Sequence, residues 1–311
     1  MGSSIRDIYG QTLAELGAEY PAIVALDADL SGSTKSKVFG QKYPERFFNM
    51  GIAESDMVSC AAGLASVGKI PFVNTFTVFL TTLGLIAARA QVCYADLNVK
   101  LAGAYCGMSD ALDGATHHAT EDIAAMRSLP NMRILVPSDA ESTRWATRWA
   151  AENYGPVYLR LSRTEYPDLY PAGETFELGK AKVVREGTDC TVFAIGILVH
   201  KALEAAEALA AEGLRVQVVD LLSVKPIDAE TIVRCAGQTG CCVVAEEHQI
   251  YGGAGSAVAE VLAHAGVGAP TEFVGIRDCF TQSGKYDALL ARYGLDAAAV
   301  AEAVKKAVGR K

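Results

Sequence analysis

Short apolar runs alternate with longer stretches of helical periodicity along most of the chain. In the first half, β-rich runs at 22–26, 70–74, 99–104, 133–136 and 157–161 predict strands. Between them, 5–20, 56–67, 82–95, 120–128 and 140–153 read as helices. Alternation of this kind implies βαβ units and parallel sheets, because parallel neighbours need a long crossover. The stretch 166–179, YPDLYPAGETFELG, breaks the pattern with Pro167, Pro171 and Gly173 and marks a domain boundary. Alternation then resumes, with strands at 191–195, 216–219, 242–245 and 273–276 and helices at 200–212, 228–236, 255–265, 285–293 and 296–308. Gly213 and Gly294 stand where two of these helices should stop, and Asp296 is placed to cap the last. The expected fold class is α/β, with one parallel-sheet domain over 1–166, a linker at 167–178 and a smaller one over 179–311.

Composition narrows the function classes. Of 311 residues, 50% are hydrophobic and 21% charged, which suits large cores and not disorder. Lys and Arg number 28 against 36 Asp and Glu, a net charge of −8. That balance argues against nucleic acid or an anionic membrane as the main partner, but a local basic pocket can still hold a small anion. The eight cysteines form no C-x-x-C pair and no Cys/His cluster with zinc spacing, so they read as small buried hydrophobes of a reducing cytoplasm. MGSSIRDIYG shows no apolar leader, and Arg6 breaks the myristoylation pattern. Residues 70–88 carry no charge, yet Pro71, Asn74 and four threonines favour a strand, a loop and a helix start over a membrane span. The expected location is cytoplasmic.

Several segments carry candidate chemistry. In RFFNMGIAESDMVSCAAGLASVG at 46–68, Glu54 and Asp56 sit where a loop meets a small-residue helix. They read as an acidic helix start, or Glu54, among Met50, Ile52, Ala53 and Met57, reads as a functional carboxyl. A carboxyl in apolar company holds its proton more tightly and can share it with a ring nitrogen. Phe76 and Phe79 of TFTVF are core residues or an aromatic wall for a flat heterocycle. DGATHH at 113–118 sets His117 and His118 in one polar turn, suited to capping or to acid–base work. Arg6 and Arg163 are surface charges, or residues placed to grip a phosphate. GGAG at 252–255 lacks the dinucleotide spacing and reads as a tight turn with close helix packing. No P-loop, H-E-x-x-H, G-x-S-x-G or G-x-G-x-x-G occurs, so nucleotide kinases, zinc proteases, α/β-hydrolases and ordinary dehydrogenases lose support.

Taken in order, ADLSGS at 28–33, FFNMGIAESDM at 47–57, AAGLASVG at 61–68, TFTVF at 75–79, DGATH at 113–117, RSLPN at 127–131 and LSR at 161–163 resemble the C-terminal half of transketolase, a thiamine diphosphate enzyme. VVAEEHQIYGGAGSAVAE and YGLDA downstream look like the family's C-terminal domain. The resemblance implies a three-layer pyrimidine-binding domain followed by a smaller C-terminal domain. It implies that Glu54 contacts the aminopyrimidine of the cofactor and promotes the tautomer that deprotonates the thiazolium. It places Phe76, Phe79 and Ile52 around the pyrimidine, and Asp29 near the cofactor and the dimer contact. It gives Asp113 and His117 to substrate hydroxyls, with His117 catalytic alongside Glu54, and Arg6, Ser33 and Arg163 to a sugar phosphate.

The chain departs from the family pattern at Thr82, where an aromatic is expected, at Tyr105, where a histidine is common, and at His118, where Gln is usual. The G-D-G…N motif that holds diphosphate and metal is missing. The resemblance therefore implies the C-terminal subunit of a split transketolase. Its partner would be a separate N-terminal subunit that holds the diphosphate and Mg²⁺ (or Ca²⁺), in a two-plus-two assembly with a homodimer contact through this chain. No metal site is expected on this chain. The reaction implied is transfer of a two-carbon ketol unit from a ketose phosphate to an aldose. A β subunit of a 2-oxo acid dehydrogenase, a deoxyxylulose-phosphate synthase-like enzyme and a non-catalytic α/β scaffold remain as alternatives.

Overall fold

The computed structural model describes residues 2–311. The strands are β1 Ser3–Ser4, β2 Ile23–Asp27, β3 Phe47–Asn49, β4 Ile70–Phe76, β5 Lys100–Ala104, β6 Arg133–Leu135, β7 Val157–Leu161, β8 Glu165–Tyr166, β9 Lys182–Arg185, β10 Cys190–Ala194, β11 Val216–Asp220, β12 Ser223–Lys225, β13 Cys242–Gln249 and β14 Thr271–Ile276. The helices are α1 Ile5–Glu19, α2 Ser31–Thr34, α3 Lys37–Lys42, α4 Glu54–Ser66, α5 Thr77–Thr82, α6 Leu85–Ala87, α7 Asp122–Arg127, α8 Ala140–Glu152, α9 Ile197–Ala211, α10 Ala229–Thr239, α11 Ala254–His264, α12 Tyr286–Arg292 and α13 Ala297–Val308.

Strands β2, β4, β5 and β7 are buried along almost their whole length, as continuous apolar runs covered on both faces require. They form the centre of a seven-stranded sheet ordered β12-β6-β7-β5-β4-β2-β3, parallel except for β12. Register aligns Asp27 with Asn74, and Phe76 with Ala104 and then Leu161, so these strand ends share one edge of the sheet. The second sheet runs β14-β13-β10-β11-β9, parallel except for β9. Both sheets are the α/β architecture expected from the alternation.

Three features escaped the hydrophobic pattern. Ser223–Lys225 pairs antiparallel with β6 (Ser223 with Leu135, Lys225 with Ile134), so a strand of the second half closes the edge of the first sheet. Ser3–Ser4 pairs with Glu165–Tyr166, tying the start of α1 to the end of β7. One buried apolar cluster accordingly runs from Ile5, Tyr9 and Leu13 through Leu135 and Leu161 to Ile197 and Leu198. The third feature corrects the helix expected at 82–95. The helix begins at Thr77, breaks at Leu83–Gly84, and resumes as α6 and a wide π turn over Ala88–Cys93. Thr81 and Thr82 donate back to the carbonyls of Thr77 (2.9 Å) and Val78 (2.6 Å), a side-chain pattern that bends helices.

Cys93, Cys106, Cys190, Cys235, Cys241 and Cys242 are buried, but Cys60 is half-buried and Cys279 exposed, so the burial reading fails for those two. Among the described residues, no helix is long and apolar enough to cross a membrane.

Candidate active site

The sheet edge where β2, β4, β5 and β7 end carries most of the singled-out residues. Open α/β sheets bind ligands at this edge because the connecting loops open outward there. Asp27, the last residue of β2, is buried and organises the loop that follows. Its Oδ1 accepts from the Leu30 amide (2.6 Å), and its Oδ2 accepts from the hydroxyls of Thr34 (2.7 Å) and Ser36 (2.8 Å). Asp29 in this loop has φ 64°, a left-handed conformation a non-glycine residue rarely adopts. The Asn49 amide donates to its Oδ1 at 2.9 Å.

Glu54 opens α4 and is only 4% exposed. Thr75 Oγ1 donates to Glu54 Oε1 at 3.2 Å, which holds the carboxyl beside the last residues of β4. Phe76 follows directly, and its ring lies 6.1 Å from Phe79, tilted by 22°. His117 stands edge-on to Phe79 at 5.4 Å and to Phe76 at 6.2 Å. Thr77 Oγ1, next to Phe76, is buried without a partner. Near-parallel aromatic faces and a buried carboxyl at the same strand end fit a flat aminopyrimidine. Ile52 is 85% exposed, on the loop leading into Glu54. Thr82 is exposed, one turn of helix beyond Phe79.

The β1–β8 pairing brings Arg6 to Arg163. Arg6 Nη1 donates to the Ser33 carbonyl (3.2 Å) and to the Tyr105 hydroxyl. The Arg163 guanidinium lies 5.1 Å from the Tyr105 ring centre, and that of Arg6 5.4 Å. Tyr105 is left-handed (φ 62°) and stacks on Phe76 with centroids 4.2 Å apart. One ring thus joins the aromatic wall to both arginines. Arg163 Nη1 also donates to Asp110 Oδ1 at 2.6 Å. Burial, and next the neighbouring Asp113 carboxyl, push Asp110 up to about 6. Asp113 itself is exposed. Arg6, Ser33, Arg163, Asp113 and His117 therefore surround one region. The sequence reading missed Asp110 altogether, and it noted Tyr105 only as a departure. An acid three residues before Asp113, in a short loop after a buried strand, was the available signal.

The same loop meets the second half of the chain. His118 is buried, with Nδ1 2.6 Å from Thr281 Oγ1 and Nε2 3.1 Å from the Asp110 carbonyl. Burial lowers its pKa, and the two contacts pin the loop at this point. The Gly284 amide donates to the Ala111 carbonyl at 2.9 Å. Beneath, Arg160 donates to Asp122 through Nε (2.7 Å) and Nη2 (3.1 Å), and to the Glu247 carbonyl at 2.9 Å. Burial pushes the Glu247 carboxyl up to about 7, although its Oε1 accepts from the Met108 amide at 2.8 Å.

The glycine-rich turn at 252–255 is filled from within the chain. The amides of Ala254 and Gly255 donate to the two oxygens of Glu246 at 2.7 and 2.8 Å, so the start of α11 already holds a carboxylate. Among the described residues, no group of three or more His, Cys, Asp or Glu side chains is placed to hold a metal ion.

Residues 2–168 match the pyrimidine-binding domain of transketolase, and residues 179–300 match the transketolase C-terminal domain. The chain is 40% identical to a 6-deoxy-6-sulfo-D-fructose transketolase subunit of Clostridium sp. (strain MSTE9), covering 99% of this chain and 95% of that one. It is 37% identical to an apulose-4-phosphate transketolase subunit of Phocaeicola vulgatus, covering 94% and 93%. A solved split-gene transketolase, described as an inactive β4 tetramer, superposes with a TM-score of 0.91 at 49% identity over 99% of each chain. With the strand-end site and these likenesses together, the chain belongs to the transketolase family and comprises its pyrimidine-binding and C-terminal domains.

Proposed function

We propose that this chain is the C-terminal subunit of a thiamine diphosphate-dependent transketolase. It would transfer a two-carbon ketol unit from an anionic ketose, such as a ketose phosphate, to an aldose acceptor. The observation that carries the reading is Glu54, buried and held by Thr75 at the strand end that also presents Phe76 and Phe79. Thiamine diphosphate, when bound, supplies a nucleophilic carbon able to break a carbon–carbon bond beside a carbonyl. Glu54 would hold a proton at the edge of the pyrimidine, Phe76 and Phe79 would orient the ring and exclude water, and Ile52 and Asp29 would border it. His117, edge-on to the aromatic wall, would hydrogen-bond substrate hydroxyls and move a proton there, and Asp113 would bind hydroxyls too. Arg6, Arg163 and the Ser33 segment would receive the anionic end of the sugar.

Activity would require a second chain that holds the diphosphate and Mg²⁺ (or Ca²⁺). Two relatives are themselves named as subunits, which supports a two-chain enzyme. The exposed Leu83 and Ile86 would supply apolar surface for a homodimer contact through this chain. The test is reconstitution with a chain carrying the G-D-G…N domain, followed by assay of a ketose phosphate plus an aldose. Ketol transfer is expected. Turnover of pyruvate alone would instead support a synthase-like or 2-oxo acid reaction.

A further inference from the structure

A cavity of about 550 Å³ opens between the two halves of the chain, lined by Arg6, Arg163 and Lys285 together with Ser109, Thr164 and Glu165. Three cations face it, one of them from the second half. A small anion is the matching ligand.

The charge of that anion is set by what stands behind the cations. Arg163 is held by Asp110, which is fully buried (0% exposed) and whose second oxygen, Oδ2, has no partner. Glu165 adds a second carboxylate at the rim. Asp113, exposed beside Asp110, adds a third carboxylate, so the three cations are already largely offset before any ligand enters. A phosphate ester, whose second proton leaves near pH 6, would bring two charges at pH 8 against cations already offset. A sulfonate, or a phosphate ester that keeps one proton, would bring only one.

We propose that Asp110 is a specificity-determining residue: by neutralising Arg163 from below, it makes the cavity a receptor for a singly charged substrate terminus and disfavours a dianion. This rests on the proposed ketol transfer only in making the bound molecule a sugar. The charge preference belongs to the cavity itself. Asp110 touches no reacting atom, and it acts through the Arg163 guanidinium.

The test uses the full chain at pH 8, with methyl phosphate as dianion and methanesulfonate as monoanion, each titrated by NMR. The wild-type chain should bind methanesulfonate at least as well as methyl phosphate. Asp110→Asn keeps the shape and the acceptor to Arg163 but removes the charge, and should tighten methyl phosphate about tenfold while changing methanesulfonate less than threefold. Asp110→Glu keeps the charge and should keep the wild-type order. Arg163→Gln should weaken both anions, which locates the binding. Equal affinity for methyl phosphate in wild type and Asp110→Asn, including no binding by either, overturns the proposal, as does tightening of both anions alike. An Asp110→Asn chain that melts well below wild type is judged on Asp110→Glu, which overturns the proposal if it reverses the order. Absence of ketol transfer in the reconstituted enzyme would sink the proposed function and leave this charge preference standing.

Discussion

Thr75 Oγ1 donates to Glu54 Oε1 at 3.2 Å, joining the end of β4 to the first residue of α4. The bond matters because it fixes a buried carboxyl at the strand end where the aromatic pair begins one residue later. Glu54→Gln should keep the fold and the Thr75 contact while removing the ionisable group. In the reconstituted enzyme, kcat should fall about 10²- to 10⁴-fold, the range associated with losing a positioned acid–base group. Thr75→Val should lower kcat less. Unchanged activity in Glu54→Gln would show that the carboxyl has no part in the chemistry.

Asp122 and Arg160 form a fully buried ion pair, closed further by the Tyr158 hydroxyl at 2.6 Å. Burial alone would raise the Asp122 pKa, but the Arg160 guanidinium outweighs it and holds the carboxyl below its ordinary range. Asp122→Ala leaves that guanidinium buried without its counter-charge and should destabilise the chain by about 3–5 kcal/mol. The pair's contribution is present above the unfolded carboxylate pKa of about 3.9 and lost as pH falls through the lower folded value. Denaturant melts of wild type and variant at pH 7 measure the loss.

Glu247 and Asp220 behave in the opposite sense. Burial pushes both up to about 7. The folded chain therefore keeps protons that the unfolded chain releases near pH 4. Their contribution is full below about pH 4 and is lost as pH rises through 7. Glu247→Gln and Asp220→Asn should each flatten the decline of thermal stability between pH 5 and 8. A double variant whose melting temperature still falls as steeply as wild type would contradict this assignment.

Gly107 has φ 58°, and a side chain there would overlap the Glu247 carboxyl. Backbone strain and the clash act together, so Gly107→Ala should cost roughly 2–4 kcal/mol. Equilibrium unfolding would check it, and a loss under 1 kcal/mol would mean that the junction between the halves can give way.

Ile86 is 67% exposed on α6, against α4. Ile86→Asp should leave the stability of the isolated chain within about 0.5 kcal/mol, as surface changes do. Sedimentation should show weaker association of the chain with itself. If association is unaffected, this face is not the homodimer contact.

The strand–helix alternation was legible because buried parallel strands are continuous apolar runs, and β7 falls at the span that its run predicts. Asp296 caps α13 as its position suggests, accepting from the Ala299 amide at 2.9 Å. What escaped were elements too short to carry a period, β1, β8 and β12, which are held by partners far away in sequence. The helix break after Thr82 escaped for another reason. Side-chain back-bonding to a carbonyl leaves no hydrophobic signature.

The same division holds for the site. Residue types and their order along the chain determined the fold class, the aromatic pair, Glu54 and the DGATHH turn, because each is a local pattern. Only the tertiary structure decided that Arg6 and Arg163, 157 positions apart in the numbering, meet across one tyrosine ring, and that Asp110 stands behind the second of them. Those relationships depend on β1 pairing with β8 and on a loop pinned by His118 to Thr281. Long-range pairing and burial set the charge that a ligand meets, and neither is written in any local stretch of sequence.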